Sequence, residues 1–153
     1  MTRTGRAAAG LAAAGLLVAM PARADPNGDA EKLRRLDIML MVTSLRCRTT
    51  ADNFQRDFQQ FEATHLADLN AAASVLRQGL AGRYGAAGAS RALDRMSTSM
   101  ANRYGQGHPT LNCAQLKAVA QTLARMRGRA VLVEAADQLL AADPRSHLAL
   151  AGR

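Results

Sequence analysis

The stretch FQRDFQQFEATHLADLNAAASVL, residues 54–76, decides the fold. Phe54, Phe58, Phe61, His65, Leu69, Ala72 and Leu76 recur at intervals of three or four residues, the spacing of one face of an α-helix. All three phenylalanines of the chain stand on that stripe, which marks a core face rather than a ligand box. The spacing predicts a long helix over residues 52–84, with Thr50 or Asp52 as its cap.

Outward from this stripe the same period continues and no β signal appears. Ala, Leu, Arg, Gln and Met dominate, all good helix formers, while Val and Ile are few and strict alternation is missing. A helix over residues 30–47 begins at an Asp29 N-cap. Leu33, Leu36 and Leu40 line it, and Ile38, Met41, Val42 and Leu45 widen the apolar face, so this helix belongs at the centre of a bundle. Gly79, Gly82, Gly85 and Gly88 recur every three residues, and glycines this dense end a helix. The expected break lies at residues 85–88. A third helix then runs over residues 89–104, capped by Ser90, with Leu93, Met96, Met100 and Tyr104 inward. Two glycines and Pro109 interrupt it. Thr110 or Asn112 caps a fourth helix that turns Leu116, Val119, Leu123 and Met126 inward and is interrupted at Gly128. A fifth, residues 130–142, buries Val131, Leu132, Ala135, Leu139 and Leu140, and Pro144 stops it. The expected architecture is all-α, a compact bundle of about five helices without internal repeats.

The first 24 residues read differently. Arg3 and Arg6 form a basic start, residues 7–20 are an uncharged apolar run, Pro21 breaks it, and Ala22-Arg23-Ala24 is the small-x-small pattern of a signal peptidase site. The run is shorter than the ~20 residues that span a bilayer, so a cleaved signal peptide is expected, not a stable membrane anchor. No Cys follows it and no Arg-Arg pair precedes it, which points away from a lipoprotein and from twin-arginine export. The domain plan is a signal peptide over residues 1–24, a helical domain over residues 25–143 and a flexible tail over residues 144–153. Localisation is then periplasmic. The exported part carries 17 basic and 12 acidic residues, so three of the eight net positive charges leave with the leader and +5 remains. Its arginines are spread along the chain without interleaved aromatics, which argues against a nucleic-acid partner.

An even count of two cysteines in an exported chain predicts a disulfide, Cys47–Cys113. It would tie the end of the first helix to the start of the fourth. The motifs that carry catalysis are absent or incomplete. Glu62-x-x-His65 matches half of a di-iron pairing without its second half, and His108 and His147 lack ligand-spaced partners, so no metal is expected. Gly88-Ala89-Ser90-Arg91-Ala92 approaches a nucleophile elbow but ends in Ala and follows no strand. Gly105-Gln106-Gly107 opens like a dinucleotide motif but joins two helices. No C-x-x-C or haem attachment motif occurs, and no cofactor is expected. The best candidate surface is the loop of residues 104–112, where Arg103, Tyr104, Gln106, His108 and Asn112 combine an aromatic ring, a titratable group and polar side chains on a scaffold.

Several stretches carry a resemblance: KLRRLDIMLMV at residues 32–42, LRCR at 45–48, DNF at 52–54, RALDR at 91–95, MAN at 100–102 and YGQGHP at 104–109. With these the chain resembles a family of small exported helical proteins of sphingomonad-type alphaproteobacteria. The resemblance implies no catalytic residues. Chains of this kind often carry the label S-adenosyl-L-homocysteine hydrolase, and the physics of this chain opposes it. That enzyme family is several times longer, cytoplasmic and built on a dinucleotide-binding domain. This chain has no strand-turn-helix glycine motif, and export would part it from that substrate and cofactor. The expected function is therefore a non-enzymatic binding or interaction module of the cell envelope, its partner an envelope protein or a small ligand. The alternatives are a small exported hydrolase using His108 as base, and a chaperone-like stress protein using Met39, Met41, Met96, Met100 and Met126.

Overall fold

The computed structural model describes residues 25–141. The expected signal peptide and the C-terminal tail lie outside the described residues. Four helices and one short 3-10 turn follow one another: α1 (Pro26–Arg46), the turn Cys47–Thr49, α2 (Gln55–Tyr104), α3 (Cys113–Arg125) and α4 (Arg129–Ala141). Among the described residues there is no strand, and no helix is long and apolar enough to cross a membrane.

The helices number four and not the expected five, because the second and third follow each other without a loop; the break expected at residues 85–88 is confined to one non-helical residue, Gly85 (φ 67°, ψ 165°). That backbone geometry is open almost only to glycine. It lets the chain reverse without a separate loop. A Cβ on Gly79 would touch Asn27 at the start of α1, whereas Ser97 bonds Arg34 and Gly105 bonds Arg46 at its end. The segment before Gly85 therefore runs up α1, and the segment after it runs back down. Ser90 lies inside this element, exposed, and caps nothing.

The helix ends correct two further expectations and bear out a third. Asp25, not Asp29, caps α1: its Oδ1 accepts from the Asn27 amide at 3.1 Å, and Pro26 fits the first turn, where a missing N–H costs nothing. Asp29 falls instead in the first turn, where its charge suits the dipole. Neither Thr50 nor Asp52 caps α2. The Thr50 hydroxyl is spent on the Cys47 carbonyl at 2.8 Å, and Asn53 accepts from the Gln55 amide at 3.0 Å. Asn112 caps α3 as expected. It forms a full capping box with Gln115, each side chain accepting from the other's backbone amide.

The core sits between α1 and the rest. Leu33, Leu36, Met39 and Leu40 of α1 are fully buried against Phe54, Phe58, Phe61, Leu76 and Tyr104 of the α2 region, Leu116 and Leu123 of α3, and Leu132 and Leu140 of α4. α1 packs on all three other helices, the central place its broad apolar girth implies. Its girth is narrower than expected, because Met41 and Leu45 are exposed. Cys47 and Cys113 are joined, with Cα atoms 5.8 Å apart, and the bridge fastens the end of α1 to the start of α3.

Candidate functional site

The loop of residues 104–112 is packed against the core. Tyr104 is fully buried at the end of α2, and its ring stacks on His108 with centroids 6.3 Å apart. The Gly107 amide donates to the Tyr104 carbonyl at 2.8 Å in a turn that needs φ 98° at Gly107, hence glycine. Arg46 Nη1 donates to the Gly105 carbonyl at 2.9 Å and pins the loop to the end of α1. Of the five residues expected to form a surface, Tyr104 and His108 turn inward together, and Arg103 is half-buried. Gln106 is exposed, and Asn112 is occupied in the capping box. The loop thus braces the core through Tyr104 and His108, while Gln106 and Asn112 lie on its exposed side.

The histidines explain why. His108 Nδ1 accepts from the amides of Leu111 (3.1 Å) and Thr110 (3.3 Å), so the proton sits on Nε2, which donates to the Leu139 carbonyl at 3.3 Å. His65 does the same one helix away. Its Nε2 donates to the Leu123 carbonyl at 2.8 Å, and its neighbour Thr64 donates to the Ala124 carbonyl at 3.1 Å. Leu123 and Ala124 lie in the last turn of α3, where the Met126 amide also donates to the Leu123 carbonyl at 3.1 Å, and Leu139 lies in α4. Each imidazole is a brace between a helix and the core. His65 is the core-facing, hydrogen-bonded residue the stripe implied. Asp68 approaches its other nitrogen only to 4.0 Å. Among the described residues no group of three or more His, Cys, Asp or Glu is placed to hold a metal.

A buried polar cluster lies between α1 and α2. Arg34 donates to Ser97 (3.2 Å) and to Asp37 Oδ2 (3.3 Å), while Asp37 Oδ1 and the nearby Arg35 Nε are buried without a partner. Burial pushes the Asp37 carboxyl up to about 6, Arg34 opposes the rise, and Glu62 adds to it. Burial also raises Glu62 itself.

The surface that looks built to receive something is elsewhere. α3 and α4 diverge from the short connector at residues 126–128 and each lies on α1. Between them opens a groove of about 650 Å³, within the size range of small-molecule sites. Val119, Leu123, Met126, Val131, Ala135 and Leu139 supply its apolar walls, with Thr122, Glu134 and Gln138 at the polar positions. Met126, expected inward, is 40% exposed there, because the chain leaves helical geometry at that residue.

The groove has a legible signature that a search for polar motifs passes over. α4 carries two parallel stripes at i, i+4 spacing. Leu132, Ala136 and Leu140 form the buried one, and Val131, Ala135 and Leu139 form the second, half-buried in the groove. One stripe docks a helix of 13 residues; a second implies a second apolar surface. No protein-family model matches the chain, and neither a curated protein nor a solved structure is detectably similar to it.

Proposed function

We propose that the protein is a non-enzymatic binding module of the periplasm whose ligand lies in the apolar groove between α3 and α4. The observation that carries this reading is the second stripe of α4, Val131, Ala135 and Leu139, half-buried along the groove that Val119 and Leu123 also line. Exposed apolar surface gathered into one concave site is costly to maintain unless something covers it. The Cys47–Cys113 bridge supports the exported setting, since such bonds persist in oxidising compartments. The hydrogen bonds of His65 and His108 to backbone carbonyls support binding over hydrolysis, because both imidazoles already serve the fold.

The test is binding of a neutral, polarity-sensitive dye, Nile red, to protein purified from the envelope fraction of cells expressing the full chain. A saturable signal that Val131→Gln weakens at least about tenfold is expected. Saturable binding that survives both Val131→Gln and Ala135→Gln would place the ligand elsewhere and sink this reading.

A further inference from the structure

We propose that the groove takes a free, single-chain anionic amphiphile, with its apolar tail along α3 and α4 and its charged head at the connector that joins them. The proposal rests on the groove being the binding surface and adds the class of ligand. The connector reads Arg125-Met126-Arg127-Gly128-Arg129. Arg125 closes α3, Arg127 lies between the helices and Arg129 opens α4. Among the described residues none of the three makes an ion pair or a hydrogen bond to a carboxylate, although Arg34, Arg35 and Lys32 elsewhere are all paired. The connector therefore carries three alternating arginines without a carboxylate partner at the end where α3 and α4 meet, flanking Met126 and Ala130 of the groove walls, although the arginines themselves do not line it. Met126, itself a groove wall, sits between two of them.

The charge balance of the groove selects for an anion. Among the described residues Glu134 is the one acidic residue on its walls, and its Oε1 already accepts from Gln138 Nε2 at 2.8 Å. Arginine forks match carboxylate and phosphate oxygens, and their weak hydration suits the edge of an apolar site. The concave shape favours a ligand that leaves solution over a bilayer surface, which would need apolar side chains that project outward. Length supports the same class: Val131 and Leu139 lie eight helical steps apart, about 12 Å at the helical rise, an extended surface suited to an alkyl tail.

The experiment is displacement of Nile red from the delipidated protein, purified as exported from the full chain, by dodecanoate, dodecyl phosphate and dodecanol. Dodecanoate or dodecyl phosphate is expected to compete at least about tenfold better than dodecanol at low salt, with the gap narrowing as salt rises. Arg125→Gln, Arg127→Gln and Arg129→Gln combined should bring the three competitors to within about twofold, with dodecanol and the melting midpoint unchanged. Equal competition by all three against the native protein refutes the anionic head while leaving the groove as the site. If none displaces a dye that does bind, or if anionic vesicles alone do so, the free-amphiphile proposal fails. If the triple variant unfolds, raising salt on the native protein decides the same question, since a preference that is insensitive to salt excludes the arginines.

Discussion

Replacing Asp37 by Asn should stabilise the protein at neutral pH, and the gain should vanish in acid. Asp37 lies on α1 against α2, with Oδ1 buried and unpartnered and Oδ2 held by Arg34 at 3.3 Å. Its carboxyl titrates near 6 in the folded chain against an ordinary value of 3.8. Above pH 6 both the folded and unfolded chains carry the charge, and the folded state bears the full cost of burying it. Below 3.8 both are protonated and the cost is gone. Between those values the folded chain holds the extra proton, so stability rises as pH falls through this window. The two-unit difference corresponds to about 3 kcal/mol. That figure already nets the Arg34 attraction against burial, so Asn, which keeps the volume, should gain up to about 3 kcal/mol at pH 8. Urea unfolding followed by circular dichroism from pH 8 to pH 4 measures it. The difference between the two proteins isolates Asp37 from Glu62, whose raised value gives the native curve the same sign. A variant no more stable than the native protein at pH 8, or a gain that persists unchanged at pH 4, refutes the reasoning.

Other perturbations probe other parts of the fold. Replacing Cys47 and Cys113 together by Ala reopens a loop of 66 residues and should cost about 4 kcal/mol in denaturant unfolding, a loss that reductant should reproduce in the native protein. Gly85→Ala should destabilise by about 1–3 kcal/mol although the site has room for a methyl group, because its backbone is closed to other residues; Gly82→Ala, equally roomy but helical, should stabilise by about 0.5–1 kcal/mol. If thermal melts move both variants alike, the hairpin reading of α2 is wrong. His108→Ala strips partners from the Leu139 carbonyl and two loop amides and should cost about 1–3 kcal/mol, with faster hydrogen exchange at Thr110 and Leu111.

The helical class, the core face of α2 and the disulfide were all legible because each rests on a local rule. The Phe54–Leu76 stripe needs only the helical period, the Asn112 cap only its three-residue reach to Gln115, and the bridge only an even count of two cysteines in a chain expected to be exported. What escaped depends on contacts between distant residues. The glycines around 85 announced a break, but nothing local distinguishes a break between two helices from a single-residue reversal inside one. His108 looked available as a base because its acceptor, the Leu139 carbonyl, lies 31 residues away. Asp37 has no local signature, since its altered chemistry comes from burial against α2 and not from its neighbours in sequence. Loop 104–112 attracted attention through residue types suited to binding, whereas the groove is made of ordinary Val, Ala and Leu whose role appears only once one stripe of α4 is seen to be already buried.

The bridge between Cys47 and Cys113 also sets how the molecule carries tension. A pull applied to the two ends of the chain passes from α1 through the sulfur atoms into α3, and the whole of α2 hangs outside that line. Stretching the oxidised protein can peel away α1, α3 and α4 but cannot draw out the enclosed loop, which hides roughly 220 Å of extended chain. Reduction would release that slack at once, so the length gained on pulling reports the redox state of a single bond.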